Sequence, residues 1–111
     1  MSKRNDILLL QDIYDAGAKI LKYTGGLSFE DFINDEKTID AVIRNFEIIG
    51  EASGRLSEQV TARYTEVDWR RMKNFRNLLI HHYFGVNYRI VYSVIKEYLP
   101  ATLSSIKAII P

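Results

Sequence analysis

Arg76-Asn77-Leu78-Leu79-Ile80-His81-His82-Tyr83-Phe84-Gly85-Val86-Asn87 reads as the end of one helix, a stop and the start of the next. Gly85 supplies the stop, because glycine tolerates the backbone conformations that end helices, and Asn87 is a good N-cap. Upstream, a helix is expected from near Thr65–Asp68 to about Phe84, anchored by Trp69, Met72, Phe75 and Leu79. Downstream, Ile90, Val91, Val94, Ile95 and Tyr98 repeat at helical spacing. Pro100 breaks or kinks that helix, and Ala101–Ile110 continues as a fifth.

The same periodicity extends toward the N-terminus. A first helix is expected from about Lys3 to Thr24, with Ile7, Leu10, Tyr14, Ala18 and Leu21 as its buried stripe. Gly25-Gly26 stops it, and Ser28 with Asp31 forms a variant of the capping box for a short turn. Asp35 or Thr38 starts the second long helix, which runs to about Leu56 with Ile39, Val42, Ile43, Phe46 and Ile49 facing inward. Gly50 and Gly54 lie four apart on one face of it, a spacing that permits close helix approach. Residues 57–66 are polar and read as a connection. There is no hairpin signal, repeat or low-complexity tract. The expected fold is all-α, an antiparallel bundle of four to five helices in one domain spanning residues 1–111.

Composition narrows the function classes. The chain has 111 residues, 47% of them hydrophobic and 26% charged, so it is globular rather than disordered. It has no cysteine, which excludes disulfides and thiolate metal sites and fits a reducing compartment. No apolar run is long enough to span a bilayer, and the acidic Asp6 argues against a signal peptide, so the expected location is the cytoplasm. Net charge is +1, but residues 1–50 carry 6 Lys/Arg against 9 Asp/Glu, while residues 51–111 carry 9 against 5. Arg70, Arg71, Lys73 and Arg76 concentrate the basic half. Such a cluster attracts phosphates, or it is an ordinary solvated helix face.

The chemistry-bearing groups lie in the stretch quoted first. Arg76 is permanently cationic and can grip a phosphate with a two-pronged donor fork. His81 can exchange protons near neutral pH. RNA carries its own nucleophile, the 2′-hydroxyl, so a base and a cation suffice without a metal. The adjacent His81 and His82 point about 100° apart on a helix and no neighbouring ligand completes a set, so no metal site is expected. Arg76 and Tyr83 are seven positions apart and share a face. Arg76 and His81 are five apart, which is about 140° around the helix. A long arginine side chain, a distorted helix end or a second subunit can bring them together, and the misfit is a physical reason to expect a composite site in a dimer.

An Arg, four residues, a His, any residue and a Tyr resembles the motif of the HEPN superfamily, in particular its HepT toxins. Asn77 directly after Arg76, the Tyr-Phe-Gly-Val-Asn run from Tyr83, and the stretch Ala41–Ala52 resemble that group too, and the similarity extends over nearly the whole chain. The resemblance implies a homodimeric HEPN-like bundle with metal-independent endoribonuclease activity, Arg76 and His81 as catalytic residues, and Asn77 as support. It also implies a minimal nucleotidyltransferase antitoxin as partner. That antitoxin transfers AMP from ATP to the motif tyrosine, here Tyr83, and the added charge and bulk silence the RNA cleft. ATP then serves the partner, and this chain needs no cofactor of its own. Arg70, Arg71 and Lys73 are candidate RNA contacts. The competing reading is a non-catalytic nucleotide- or RNA-binding module that serves as partner and substrate of the transferase.

Overall fold

The computed structural model describes the backbone of residues 3–81 and 85–111 and the side chains of residues 5–76 and 85–111. Among the described residues it has seven helices and no strand. They are α1 (Lys3–Thr24), α2 (Phe29–Ile33), α3 (Glu36–Arg55), α4 (Glu58–Arg63), α5 (Trp69–His81), α6 (Tyr88–Glu97) and α7 (Leu99–Ile109). The five longer ones are the helices expected from periodicity. α3 is the centre of the bundle, packed against α1 on one side and α5 on the other, while α7 closes over α1 and α6. No helix among the described residues is long and apolar enough to cross a membrane.

Local chemistry explains most boundaries. Gly26 takes a φ of 78°, the left-handed conformation that ends α1 without strain. Ser28 and Asp31 form the full capping box of α2, and Phe32 is pressed entirely out of solvent. Asp35, not Thr38, caps α3: its carboxylate accepts from the Thr38 backbone N–H at 3.1 Å and from the Thr38 hydroxyl at 2.7 Å. The Thr38 hydroxyl bond, and after it the backbone one, hold the Asp35 carboxyl below its ordinary pKa. Asn87 caps α6 through Arg89 N–H at 3.0 Å and Ile90 N–H at 3.3 Å. Pro100 sits in the first turn of α7, where its missing N–H costs nothing, so it starts the last helix rather than breaking the previous one.

Three expectations are corrected. The buried side of α1 is rotated from the expected stripe: Leu10, Ile13, Ala16, Gly17, Ile20 and Thr24 are buried, while Ile7, Tyr14, Ala18 and Leu21 are half-buried. Small residues face inward because α7 approaches closely there; a Cβ on Gly17 would stand 2.5 Å from Leu103 Cδ2. Thr24 is tolerated in the core because its hydroxyl donates to the Ile20 carbonyl at 2.8 Å. Second, Ile90 is 49% exposed and Tyr98 44% exposed, so the core face of α6 is carried by Val91 and Ile95.

Third, residues 57–66 are not merely a connection, since they contain α4. Its start is organised by a residue 51 positions away: buried Asp6 accepts from the Ser57 N–H at 2.9 Å and from the Ser57 hydroxyl at 2.6 Å. Ser57 in turn accepts from Val60 N–H. No local pattern reveals a helix held from another helix. Asp6→Ala strips two partners from Ser57 and is expected to cost about 1–3 kcal/mol in urea unfolding. A loss below a few tenths of a kcal/mol would show that water replaces the carboxylate.

Candidate active site

The helix expected to run to about Phe84 is described as far as His81; His82, Tyr83 and Phe84 lie outside the described residues. The start of α5 is fixed by two bonds. Asp68 accepts from Arg71 N–H at 2.9 Å, and the Trp69 indole N–H donates to the Tyr64 carbonyl at 2.9 Å. Trp69 is buried, Met72 and Phe75 half-buried, and Phe75 meets Phe46 of α3 edge-on with ring centroids 4.9 Å apart.

Arg76 belongs to this α3-facing side of α5. A Cβ placed on Gly50 would overlap Arg76 Cβ and stand 2.7 Å from its Cγ and 2.9 Å from its Cδ. The arginine stem therefore lies directly on the α3 backbone, where only glycine leaves room. Arg76 is half-buried, and its Nε is closed off from solvent with no hydrogen-bond partner among the described residues. A buried unpaired donor costs about 1–3 kcal/mol, more when the group is charged, so this nitrogen is an unmet demand for an acceptor.

Continuity of α5 through His81 fixes the relation between the two candidate catalytic positions. Five residues apart on a regular helix, Arg76 and His81 stand about 140° from each other around its axis. Arg70, Asn74, Asn77 and His81 instead form one row, within an arc of roughly 60° and about 16 Å long. The side chains of Asn77 and His81 are outside the described set, so their placement rests on the helix positions alone.

The basic trio does not form a single patch. Arg70 and Lys73 line one open groove with Ser53, Glu58, Thr61 and Asn74, and the Lys73 stem passes 3.7 Å from where a Gly54 Cβ would lie. Arg71 turns to another face and stacks its guanidinium on the exposed Tyr98 ring at 4.1 Å. There it borders a cavity of about 210 Å³ floored by Phe46, Ile49, Met72, Phe75 and Leu99. Glu51 and Arg44, both exposed, sit on the outer side of α3.

The model of the family described as ribonuclease HepT-like matches residues 13–109, which takes in α5, its Arg-x4-His-x-Tyr positions and the α3 glycines. The chain belongs to the HepT-like family. A relative from Thermococcus cleftensis, named "Probable ribonuclease HepT", is 42% identical over 89% of this chain and 90% of its own length. A candidate RNase of Methanocaldococcus jannaschii is 38% identical over 99% of this chain and 91% of its own length. One from Caldanaerobacter subterraneus is 37% identical over 82% of this chain and 81% of its own length. No solved structure matches. Within this HepT-like chain, Gly50 and Tyr98 are neighbours of candidate site residues whose roles the sequence did not single out. The Gly50–Gly54 spacing was the only signal for the first, and nothing in the pattern pairs Tyr98 with Arg71.

Proposed function

We propose that this HepT-like protein is an endoribonuclease that cleaves RNA without a metal and acts as the toxin of a pair with a nucleotidyltransferase. The observation that carries the reading is Arg76: a guanidinium on the buried face of α5 whose solvent-shielded Nε has no partner among the described residues, one helix turn and a half before His81. An arginine in that state is suited to an anionic guest, and a phosphodiester is the guest that a ribonuclease receives.

In this reading the imidazole of His81 takes the proton of a 2′-hydroxyl, whose oxygen attacks the adjacent phosphorus. Arg76 stabilises the charge that builds on the non-bridging oxygens. The bond from phosphorus to the 5′-oxygen breaks, and that oxygen takes a proton from an imidazolium. The products are a 2′,3′-cyclic phosphate and a 5′-hydroxyl, so atoms and protons balance with no outside reagent. The offset of about 140° between Arg76 and His81 favours a cleft shared by two copies, in which one chain offers the arginine and the other the histidine. Asn77, in the row of His81, supports the substrate, and Arg70 and Lys73 hold flanking phosphates.

Control belongs to Tyr83. The phenol oxygen attacks the α-phosphorus of ATP on the partner enzyme, pyrophosphate leaves and the phenol proton is lost, giving a tyrosyl-AMP. Its phosphodiester charge repels RNA from the cleft.

Purified protein incubated with RNA in excess EDTA tests the reading. The expected result is undiminished cleavage with cyclic-phosphate ends, and loss of cleavage with a mass gain of AMP on Tyr83 after treatment with the partner transferase and ATP. Activity that EDTA removes and a divalent ion restores would refute the metal-free mechanism. RNA binding with no cleavage at all would favour the binding-module reading.

A further inference from the structure

The contact between α3 and α5 holds a feature that the catalytic reading leaves unused. Two glycines of α3 face α5, and they differ sharply. At Gly54 an added Cβ meets only the Lys73 stem at 3.7–3.9 Å, an ordinary packing distance. At Gly50 it overlaps Arg76 Cβ, an atom fixed by the α5 backbone that no side-chain rotation can move. Gly17 has a third kind of neighbour, the flexible end of Leu103. Gly50 is thus the position where a side chain forces the two helices apart, and the residue it displaces is Arg76.

We propose that Gly50 is a positioning residue for Arg76, which rests on the reading that Arg76 contacts RNA phosphate. The bare backbone of α3 forms a flat seat for the arginine stem, and the seat holds the guanidinium at a depth where its Nε is shielded from water and has no partner among the described residues. The seat leaves the stem few conformations, so an arriving phosphate meets a guanidinium whose outer donors are already oriented. A methyl group at Gly50 lifts the stem, hydrates Nε and lets the guanidinium wander.

The test measures binding of a cleavage-resistant RNA carrying a 2′-deoxy nucleotide at the scissile position, in a double-mutant cycle over salt. Arg76→Ala is expected to weaken binding about 10- to 100-fold and to lower the salt slope by about 0.7, as loss of one phosphate contact on a single strand requires. Gly50→Ala is expected to reproduce both changes, and to add nothing in the Arg76→Ala background. Gly17→Ala, which sets a methyl group against the Leu103 side chain away from α5, is expected to keep wild-type affinity and slope. If Arg76→Ala binds like wild type, Arg76 does not touch RNA, and the functional reading falls together with this proposal. If Arg76→Ala weakens binding while Gly50→Ala does not, or its effect persists when Arg76 is absent, the positioning role alone is overturned.

Should Gly50→Ala fail to fold, Gly50→Ala with Arg76→Gly transfers the missing Cβ from one helix to the other and relieves the overlap. Free guanidinium ion then restores RNA binding to Arg76→Gly but not to the paired variant, whose methyl group occupies the seat. Equal rescue of both would overturn the proposal.

Discussion

Arg76→Ala protein co-refolded with an equal amount of His81→Ala protein is expected to regain RNA cleavage that each variant alone largely lacks. Each substitution by itself removes a group acting in the transition state and is expected to lower cleavage by about 10²–10⁴-fold. The continuous α5 helix sets Arg76 and His81 about 140° apart, so one chain offers them poorly to the same phosphate. In a two-fold dimer with an arginine from one chain and a histidine from the other, a mixed dimer carries one site with both groups missing and one with both present. Random pairing makes about half the dimers mixed, and the mixture should reach roughly a quarter of the wild-type rate. Recovery depends on subunit exchange, so mixing without refolding should give less. If the co-refolded mixture shows no more activity than the two variants summed, each active site is contained in one chain and the composite cleft is wrong.

Phe32→Ala has the largest expected effect on stability. α2 has five residues, far too few to be helical by itself, so tertiary contacts hold it. Phe32 is fully buried and lies 5.8 Å, centroid to centroid, from Tyr92 of α6. Tyr92 in turn donates to the Leu27 carbonyl at 2.7 Å and receives Phe29 edge-on at 5.6 Å. One ring therefore joins the turn after α1 to the helix that follows the motif segment. Truncating Phe32, which packs on that ring, leaves a cavity and frees α2, with an expected loss of about 3–5 kcal/mol. That is a large share of the roughly 5–15 kcal/mol typical of a small domain. In a chain of this size the melting midpoint should fall by roughly 20 °C. Leu8→Ala, at a position 55% exposed, should move stability by less than about 0.5 kcal/mol and serves as the comparison. A Phe32→Ala loss under about 1 kcal/mol would mean that neighbouring side chains collapse into the space.

Features of short range were legible in the sequence. Asn87, Ser28 with Asp31, and the Gly25-Gly26 stop act on backbone groups within four residues, and each appears where local chemistry requires it. The bounds of α1 and α3 follow from the same signals. The rotation of the α1 stripe was not legible, because bulk hydrophobicity favours Tyr14 and Leu21, while closeness to α7 selects Gly17. α4 was missed because its N-terminal cap is supported by Asp6 from another helix. For the candidate site, the motif from Arg76 to Tyr83 named the residue types and the family without any coordinates. The helical repeat parts Arg70 from Arg71 by about 100°, but only packing shows that Arg71 meets the Tyr98 ring while Arg70 and Lys73 line a separate groove.

By itself, then, the sequence determined the five longer helices, the caps at Ser28 and Asn87, the spacing of arginine, histidine and tyrosine, and so the family. These are set by the 3.6-residue repeat and by hydrogen bonds that span one turn. Only the tertiary structure decided that Arg76 lies against the backbone of α3 at Gly50 with its Nε shielded from solvent. That outcome depends on how closely two helices approach across the core, a distance set by packing between residues far apart in the chain.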